Sequence, residues 1–262
     1  MIRIFLLTGW LWTVVISLTA CDAPHDNPFD PNSSAYQPIE SPVSVNVSAS
    51  SIHCTFWWID DKYYLSITAE IEDPDGVDSV WVGMDELDQA ESFNIGSLRP
   101  ANRDSTLWLI ELEEDTLMAR SGWNLEALVG HRLSLLWKNE TGTHKYNNHF
   151  HLKRVIYPIP DVSSPDYDTT LTTRTPIMEW QQFESDFNYT YSLKISHVSI
   201  SNFETVIYQR LGIASDRTTH QVEAQLPLVN DPEFLYWIIE VVDDFGDIAR
   251  SSEARFRIIE DE

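Results

Sequence analysis

The sequence predicts an all-β protein with two tandem β-sandwiches, and three observations lead to that prediction. Apolar and polar residues alternate with a period of two along most of the chain, which is typical of strands with one buried face. Turn-forming sequences such as Asp73-Pro74-Asp75-Gly76 interrupt this alternation. A Pro-rich segment at 158–165 separates two halves that are each long enough for one sandwich. We therefore expect one sandwich at 42–156 and a second at 157–262.

The first 20 residues combine a positive charge with an apolar run. Arg3 supplies the charge, and the run Ile4–Leu18 is shorter than the roughly 20 residues that a membrane-spanning helix needs. The run ends at Leu18-Thr19-Ala20-Cys21, which resembles the lipobox of bacterial lipoproteins. That resemblance implies that 1–20 is a cleaved signal peptide and that Cys21 carries a diacylglyceryl thioether and an acylated amino group. An uncleaved anchor and a plain secreted protein are the alternatives.

Lipidation of Cys21 would attach the protein to a membrane of the bacterial cell envelope, since two or three acyl chains hold a protein stably. Asp22 follows the predicted lipidated cysteine. In enteric bacteria an Asp at that position retains lipoproteins in the inner membrane, but other lineages do not follow this rule. The sequence therefore leaves open which membrane, and which side of it, carries the protein. The stretch 21–41 is rich in Pro, Asn, Ser and Asp, and we expect a flexible tether there. Within it, Asn27-Pro28-Phe29-Asp30-Pro31 resembles a short motif of bacterial lipoproteins that carry immunoglobulin-like domains.

Charge and cysteine content limit the partners and the chemistry. The formal net charge of −24 would repel nucleic-acid phosphates, so the sequence excludes nucleic-acid binding and favours cations or basic partners. The chain has two cysteines, so lipidation of Cys21 would leave Cys54 without a disulfide partner. Cys54 falls on the same strand face as Ile52 and Phe56, and we predict a buried thiol there rather than a reactive one.

The first half contains most of the alternating runs and one helical turn. The predicted strands are Leu65–Ile71, Val77–Met84, Thr106–Glu113, Arg132–Lys138 and Lys145–Val155. A short helical turn is expected at Asn124–Val129, ended by Gly130, and a long polar connection at Asp85–Ser105. The order of strand, Asp-Pro-Asp-Gly turn and strand resembles a recurrent bacterial immunoglobulin-like domain, which implies an immunoglobulin-like sandwich at 42–156.

The second half begins with the segment Pro158–Pro165, which we interpret as a semi-rigid spacer between domains. The alternating apolar positions that follow are Met178, Trp180, Tyr189, Tyr191, Leu193, Ile195, Val222, Ala224, Leu226, Leu235, Trp237, Ile239, Val241, Phe256 and Ile258. The segment Pro176–Trp180 and the strand Leu235–Val241 with its Asp/Gly turn resemble two strands of a fibronectin type III domain. The resemblance implies a fibronectin type III-like sandwich at 157–262, without implying a function.

Two acidic groups are candidates for a calcium site, although Asp-Gly turns form without any metal. The first consists of Asp73 and Asp75 with Asp60, Asp61 or Asp78, and the second of Asp243, Asp244 and Asp247. Calcium prefers hard oxygen ligands, but neither group has the spacing of an EF-hand loop. The histidines His144, His149 and His151 are a weaker candidate for zinc, since two of them would share one strand face.

The sequence predicts a binding or spacing role rather than catalysis. It contains no His-Glu-x-x-His motif, nucleophile elbow or phosphate-binding Gly loop. The aromatic residues Trp57, Trp81 and Tyr236 point away from the core faces of their strands, so they could stack a glycan or anchor a protein partner. The alternative is that the adjoining sheet edge or the other domain covers them. We expect contacts first in the connection 85–105, because binding residues concentrate on loops. An accessory or divergent polysaccharide-acting hydrolase and a purely structural spacer are the alternatives.

Overall fold

A computed structural model describes residues 44–56, 59–84, 93–198, 204–229 and 233–260. The strands are β1 (Ser44–Phe56), β2 (Ile59–Glu72), β3 (Ser79–Met84), β4 (Phe93–Pro100), β5 (Leu107–Glu113), β6 (Leu133–Asn139), β7 (Gly142–Lys145), β8 (Val162–Ser164), β9 (Thr169–Leu171), β10 (Ile177–Trp180), β11 (Tyr189–Val198), β12 (Glu204–Ala214), β13 (Thr219–Gln221), β14 (Leu235–Asp243), β15 (Ile248–Arg250) and β16 (Ala254–Ile258). The helices are α1 (Glu114–Ser121) and α2 (Leu125–Leu128). The predicted signal peptide, the tether, Cys21 and Trp57 lie outside the described residues.

The all-β prediction is confirmed, and the apolar side chains form two separate hydrophobic clusters. The first cluster takes its buried residues from between Ala49 and Leu152, and the second from between Ile156 and Ile258. The domain limits at 42–156 and 157–262 stay a prediction. No helix among the described residues is both long and apolar enough to cross a membrane.

The first cluster lies between antiparallel strands in the order β1-β2-β5-β4-β3-β6-β7. Strand β2 shows why alternation predicted this half, because Leu65, Ile67, Ala69 and Ile71 are all buried while Glu70 and Glu72 are exposed. The turn after β2 also forms as predicted, with Gly76 at φ +77°, a backbone conformation that favours glycine. The predicted helical turn is confirmed as α2, which the side chain of Asn124 caps by accepting from the N–H of Ala127.

In this half the predicted strand at 145–155 is wrong, and one helix was not predicted. Strand β7 ends at Lys145, and the chain from there to Val155 is irregular apart from one bridge between Phe150 and Leu133. Phe150 and Leu152 are buried as a strand would bury them, but they fill the core from a loop. Helix α1 was also missed, because it buries only Leu117 and therefore shows no apolar stripe.

The long connection predicted at 85–105 contains a strand, so the prediction is wrong for much of its length. Strand β4 pairs with both β3 and β5 and buries Ile95 and Leu98. The spacing of three between them hides the strand from a search for alternation. Gly96 is needed here, since a Cβ at this position would lie 2.5 Å from the Cδ1 of Ile110. The connection's residues 85–92 lie outside the described part.

The second cluster lies between a three-stranded sheet, β13-β10-β8, and the strands β12-β11-β14 with β15 and β16. The predicted core residues Met178, Trp180, Trp237 and Phe256 are buried. The predicted strand at 222–226 is wrong, because the N–H groups of Val222 and Leu226 bond to loop carbonyls rather than to a strand partner, although both side chains are buried and Ala224 is exposed.

The Pro-rich segment is not an exposed spacer, contrary to our interpretation. Ile156, Pro160 and Pro165 are buried, and Val162–Ser164 forms β8, which pairs with β10. The indole of Trp237 donates to the carbonyl of Pro165 at 2.8 Å. Pro160 and Pro165 therefore pack as part of the second sandwich, whereas Pro158 is exposed.

Candidate functional site at the junction of the two sandwiches

Strand β1 belongs to both sandwiches. It pairs antiparallel with β2 along its length, while Ile52, His53 and Cys54 also pair in parallel with β15. One continuous sheet therefore runs from β12 to β7 across both hydrophobic clusters. At 13 residues, β1 is more than twice the usual strand length of 5–6 residues, which lets it serve both halves.

Polar side chains of β1 are buried where the second sandwich covers them. Ser51 and His53 are each only 1% exposed. The N–H of Ser51 donates to Oδ1 of Asp247 at 2.6 Å, and its hydroxyl donates to the carbonyl of Arg154 at 3.1 Å. These bonds join residues far apart in sequence, so the junction is a specific interface rather than a loose contact between domains.

The turn between β14 and β15 brings two buried carboxylates to this junction. Oδ1 of Asp243 accepts from the N–H groups of Phe245 and Asp247, which is the geometry of an Asx turn. Oδ2 of Asp243 lies 2.9 Å from Nε of Arg154. The Arg154 guanidinium also lies 4.5 Å from the ring of Phe187, which makes a cation–π contact.

Asp247 is fully buried and has an unusual titration. Burial raises the pKa of its carboxyl to about 6, the charge of Asp243 adds to that effect, and the Ser51 N–H and Arg154 oppose it. Its Oδ2 has no hydrogen-bond partner within the described part of the chain, whereas Oδ1 accepts from the N–H of Ser51. The junction therefore brings two buried carboxylates next to one partly exposed guanidinium.

His53 lies two residues after Ser51 on β1 and contacts the same 154–156 segment. Its Nδ1 is 3.1 Å from the carbonyl oxygen of Ile156, and its ring stacks on Tyr63 with centroids 4.2 Å apart. Nε2 lies 3.5 Å from Oδ2 of Asp61, whose other oxygen accepts from the hydroxyl of Thr55. A buried imidazole between two strands and a loop holds the junction in register.

An ion triad extends from β11 to β15 on the outer face of the sheet. Oε1 of buried Glu240 lies 2.9 Å from Nζ of Lys194 and 2.8 Å from a terminal nitrogen of Arg250. Cys54 is paired with Arg250 in register and is a free, buried thiol, as predicted. Burial raises the pKa of the Cys54 thiol, which favours a structural role over a reactive one.

A cleft of about 130 Å³ opens above this triad. Its lining residues are Thr55, Lys194, Ser196, Glu204, Tyr236, Trp237, Ile238, Arg250, Ser251 and Glu253. Thr55 comes from β1 and the others from the second sandwich, so the cleft spans the junction. Tyr236 and Ile238 are partly exposed, as their predicted outward direction requires. Hydroxyls, charged groups and two aromatic residues, Tyr236 and Trp237, line this cleft, a composition that suits a small polar ligand.

The first acidic group predicted for calcium is not assembled. Asp61 is near the start of β2 and Asp73 follows its end, so roughly 40 Å of extended strand separates them. Asp73 accepts from the N–H of Asp75 and from the side chain of Asn139, which ties the turn to β6. Asp78 is exposed after the turn. The Asp60 side chain lies outside the described part of the structure.

The second acidic group does come together, but as a brace between sandwiches. Asp243 and Asp247 are buried, whereas Asp244 is exposed and lies 3.4 Å from the amide of Asn188. The guanidinium of Arg154 occupies the side of Asp243 where a cation would bind. Within the ranges that the structure describes, no three His, Cys, Asp or Glu side chains are grouped to hold a metal.

The histidines predicted as a zinc candidate have separate surroundings. His144 stacks on Trp137, and its Nε2 lies 2.9 Å from Oδ1 of Asn139. His151 contacts Lys153, and burial lowers the pKa of its imidazole. His149 is exposed. The shared strand face on which that prediction depended is absent, because this segment is irregular.

Sequence reasoning missed the junction almost entirely. Asp243 and Asp247 were singled out for calcium, while Arg154, Ser51 and His53 were assigned no role. Parallel pairing between residues 196 positions apart leaves no local signal, since it depends on how the two halves dock. The one available signal was the length of the extended run that became β1.

The comparisons with known proteins leave the family open. No family model matches the chain, and no curated protein does either. Solved structures that are similar include the fibronectin(III)-like modules of CbhA from Clostridium thermocellum, with a TM-score of 0.34, 12% identity, and 83% of this chain and 94% of that chain covered. The chicken CNTN1 FN1–FN3 domains have a TM-score of 0.38 and 8% identity, with 74% of this chain and 63% of that chain covered. The titin domains A168–A170 have a TM-score of 0.27 and 12% identity, with 83% of this chain and 66% of that chain covered. The all-β, tandem-sandwich fold rests on the strands and cores described above.

Proposed function

We propose that this chain is a non-catalytic module of the bacterial cell envelope, lipid-anchored through Cys21, that presents a binding surface at a fixed geometry. The observation that carries this proposal is the sharing of β1 between the two sandwiches. A strand paired on both sides, with buried polar contacts behind it, holds the cleft and both sandwiches in one orientation. A rigid arrangement reduces the entropy lost when a partner binds.

The cleft supports a recognition role over spacing alone. It combines the Tyr236 ring with charged side chains that are already ordered by Glu240, so a ligand would meet a pre-formed surface. An envelope protein or a glycan is the partner class that we propose. The rigid junction would equally suit a purely structural spacer, which is the second candidate.

Anchoring is tested with two matched cysteine variants in a bacterial host. We expect Cys21→Ser to leave the membrane fraction, because it removes the acyl acceptor, and Cys54→Ser to remain there. Retention of Cys21→Ser in the detergent phase after phase separation would contradict lipid anchoring.

Recognition is tested by site-specific photocrosslinking on intact cells. A photoreactive residue at position 236 reports on the cleft, and one at position 211 on β12 is the control, since Leu211 is 65% exposed and is not one of the residues that line the cleft. We expect an adduct of defined mass at 236 and none at 211. Equal labelling, or no labelling at either site, favours the structural spacer.

A further inference from the structure

The junction between the sandwiches carries more negative charge than it can neutralise. The side chains of Asp243 and Asp247 are both buried, and the cation paired with them among the described residues is Arg154, which is itself about a third exposed. Strand β1 contributes only the N–H and hydroxyl of Ser51 to this cluster. Oδ2 of Asp247 is buried and receives no hydrogen bond from any residue that the structure describes, which is costly for an ionised carboxylate.

We propose that Asp247 makes the junction a pH-sensitive clasp: protonation of its carboxyl tightens the pairing of β1 with β15, and ionisation loosens it. This inference goes beyond the proposed function and does not depend on lipid anchoring or on a ligand in the cleft. It follows from where the carboxyl lies, because Asp247 belongs to the second sandwich and its hydrogen-bond donor, Ser51, to the first.

Opening the junction and ionising Asp247 are thermodynamically linked. In the closed junction the carboxyl of Asp247 is excluded from solvent. In an opened junction, water would hydrate the carboxyl and return its pKa to the ordinary value of an aspartate. A protonated carboxyl keeps one oxygen as acceptor for the Ser51 N–H and gains a donor at the oxygen that has no partner. The closed form therefore binds the proton more tightly than the open form.

The direction and size of the pH effect on opening follow from the pKa of Asp247, which is raised to about 6 from the 3.8 of an ordinary aspartate. Protonation of Asp247 stabilises the closed junction fully below the pKa of the open form, 3.8. This stabilisation is lost as the pH rises through the pKa of the closed form, about 6. Between pH 5.0 and pH 7.5 the equilibrium constant for opening should increase about tenfold.

Hydrogen exchange on the full chain, held in detergent, measures this opening. The amides of Ile52–Cys54 and Ile248–Arg250 report on the junction, and those at the centre of β2 are the internal reference. After correction for intrinsic exchange, we expect the equilibrium constant for opening to be about tenfold larger at pH 7.5 than at pH 5.0 for the wild type. The reference amides should show no such change.

Two substitutions in the same turn separate this carboxyl from others. Asp247→Asn keeps an acceptor for the Ser51 N–H and cannot ionise. The equilibrium constant for opening of this variant's junction should therefore be small at both pH values. Asp244→Asn changes an exposed carboxyl three residues away and should behave as the wild type. A full tenfold pH response in Asp247→Asn would overturn the proposal and assign the titration to another group, such as His53.

The wild type alone gives a second test that needs no variant to fold. Its opening constant should rise most steeply between the two pKa values and level off above pH 6. A pH-independent opening constant across pH 4.5–8.0 would overturn the proposal whatever the variants do.

Discussion

Replacing Arg154 by Met removes the cation from the junction while keeping much of the side-chain length. Oδ2 of Asp243, 2.9 Å from the guanidinium, would then be buried without an opposite charge. Removing one partner of a fully buried ion pair costs roughly 3–5 kcal/mol. Arg154 is 32% exposed, and the loss of its contact with Phe187 adds about 0.5 kcal/mol, so we expect a net loss of about 2–3 kcal/mol at pH 7.5.

Urea unfolding followed by tryptophan fluorescence measures this loss, since the chain has 10 Trp residues. Lys153→Met is the matched control, because this exposed neighbour should change the free energy of unfolding by less than about 0.5 kcal/mol. A double-mutant cycle with Asp243→Asn should give a coupling free energy of about 2 kcal/mol, because the variant carboxamide no longer needs the cation. Additive effects, or an Arg154→Met loss below about 0.5 kcal/mol, would refute the role of this pair.

Three further substitutions test the second sandwich by the same unfolding assay. Trp237→Phe removes the indole donor to Pro165 and leaves a cavity, so we expect a loss of about 2–3 kcal/mol; an unchanged midpoint would contradict this packing. Tyr191→Phe removes the buried hydroxyl that accepts from the N–H of Phe183 at 2.9 Å, and should cost about 1–2 kcal/mol. Leu211→Lys, on the exposed surface of β12, should stay within about 0.5 kcal/mol, and a larger loss would show that this residue is covered.

The part of the fold that the sequence could predict was the set of strands with one solvent-exposed face and one buried face. In β14, Leu235, Trp237, Ile239 and Val241 are all buried, as their alternation required. Strand β12 gave no such signal, because it is the edge strand of its sheet and most of its side chains are exposed on both faces. Alternation reports burial on one face, so it is silent for an edge strand and misleading for a buried loop such as the one that carries Phe150.

The junction could not be predicted from the sequence for a different reason: its residues are polar, and polar residues are normally expected at the surface. Ser51 and His53 have the composition of surface positions, and the turn Asp243–Asp247 has the composition of a cation site. Burial of polar groups is tolerated only where partners arrive from elsewhere in the fold, and here they come from β1, from the segment after Leu152 and from the β14–β15 turn.

An acidic turn between two domains therefore has two physical solutions, a bound metal or a cationic side chain from the neighbouring domain. In this chain Arg154 supplies the cation and forms an ion pair with Asp243, while among the described residues Asp247 accepts from the Ser51 N–H. A divalent ion would neutralise both carboxylates and make the junction insensitive to mild acid. The arginine leaves one carboxyl's charge uncompensated, and that residual charge is what couples the fit of the two sandwiches to pH.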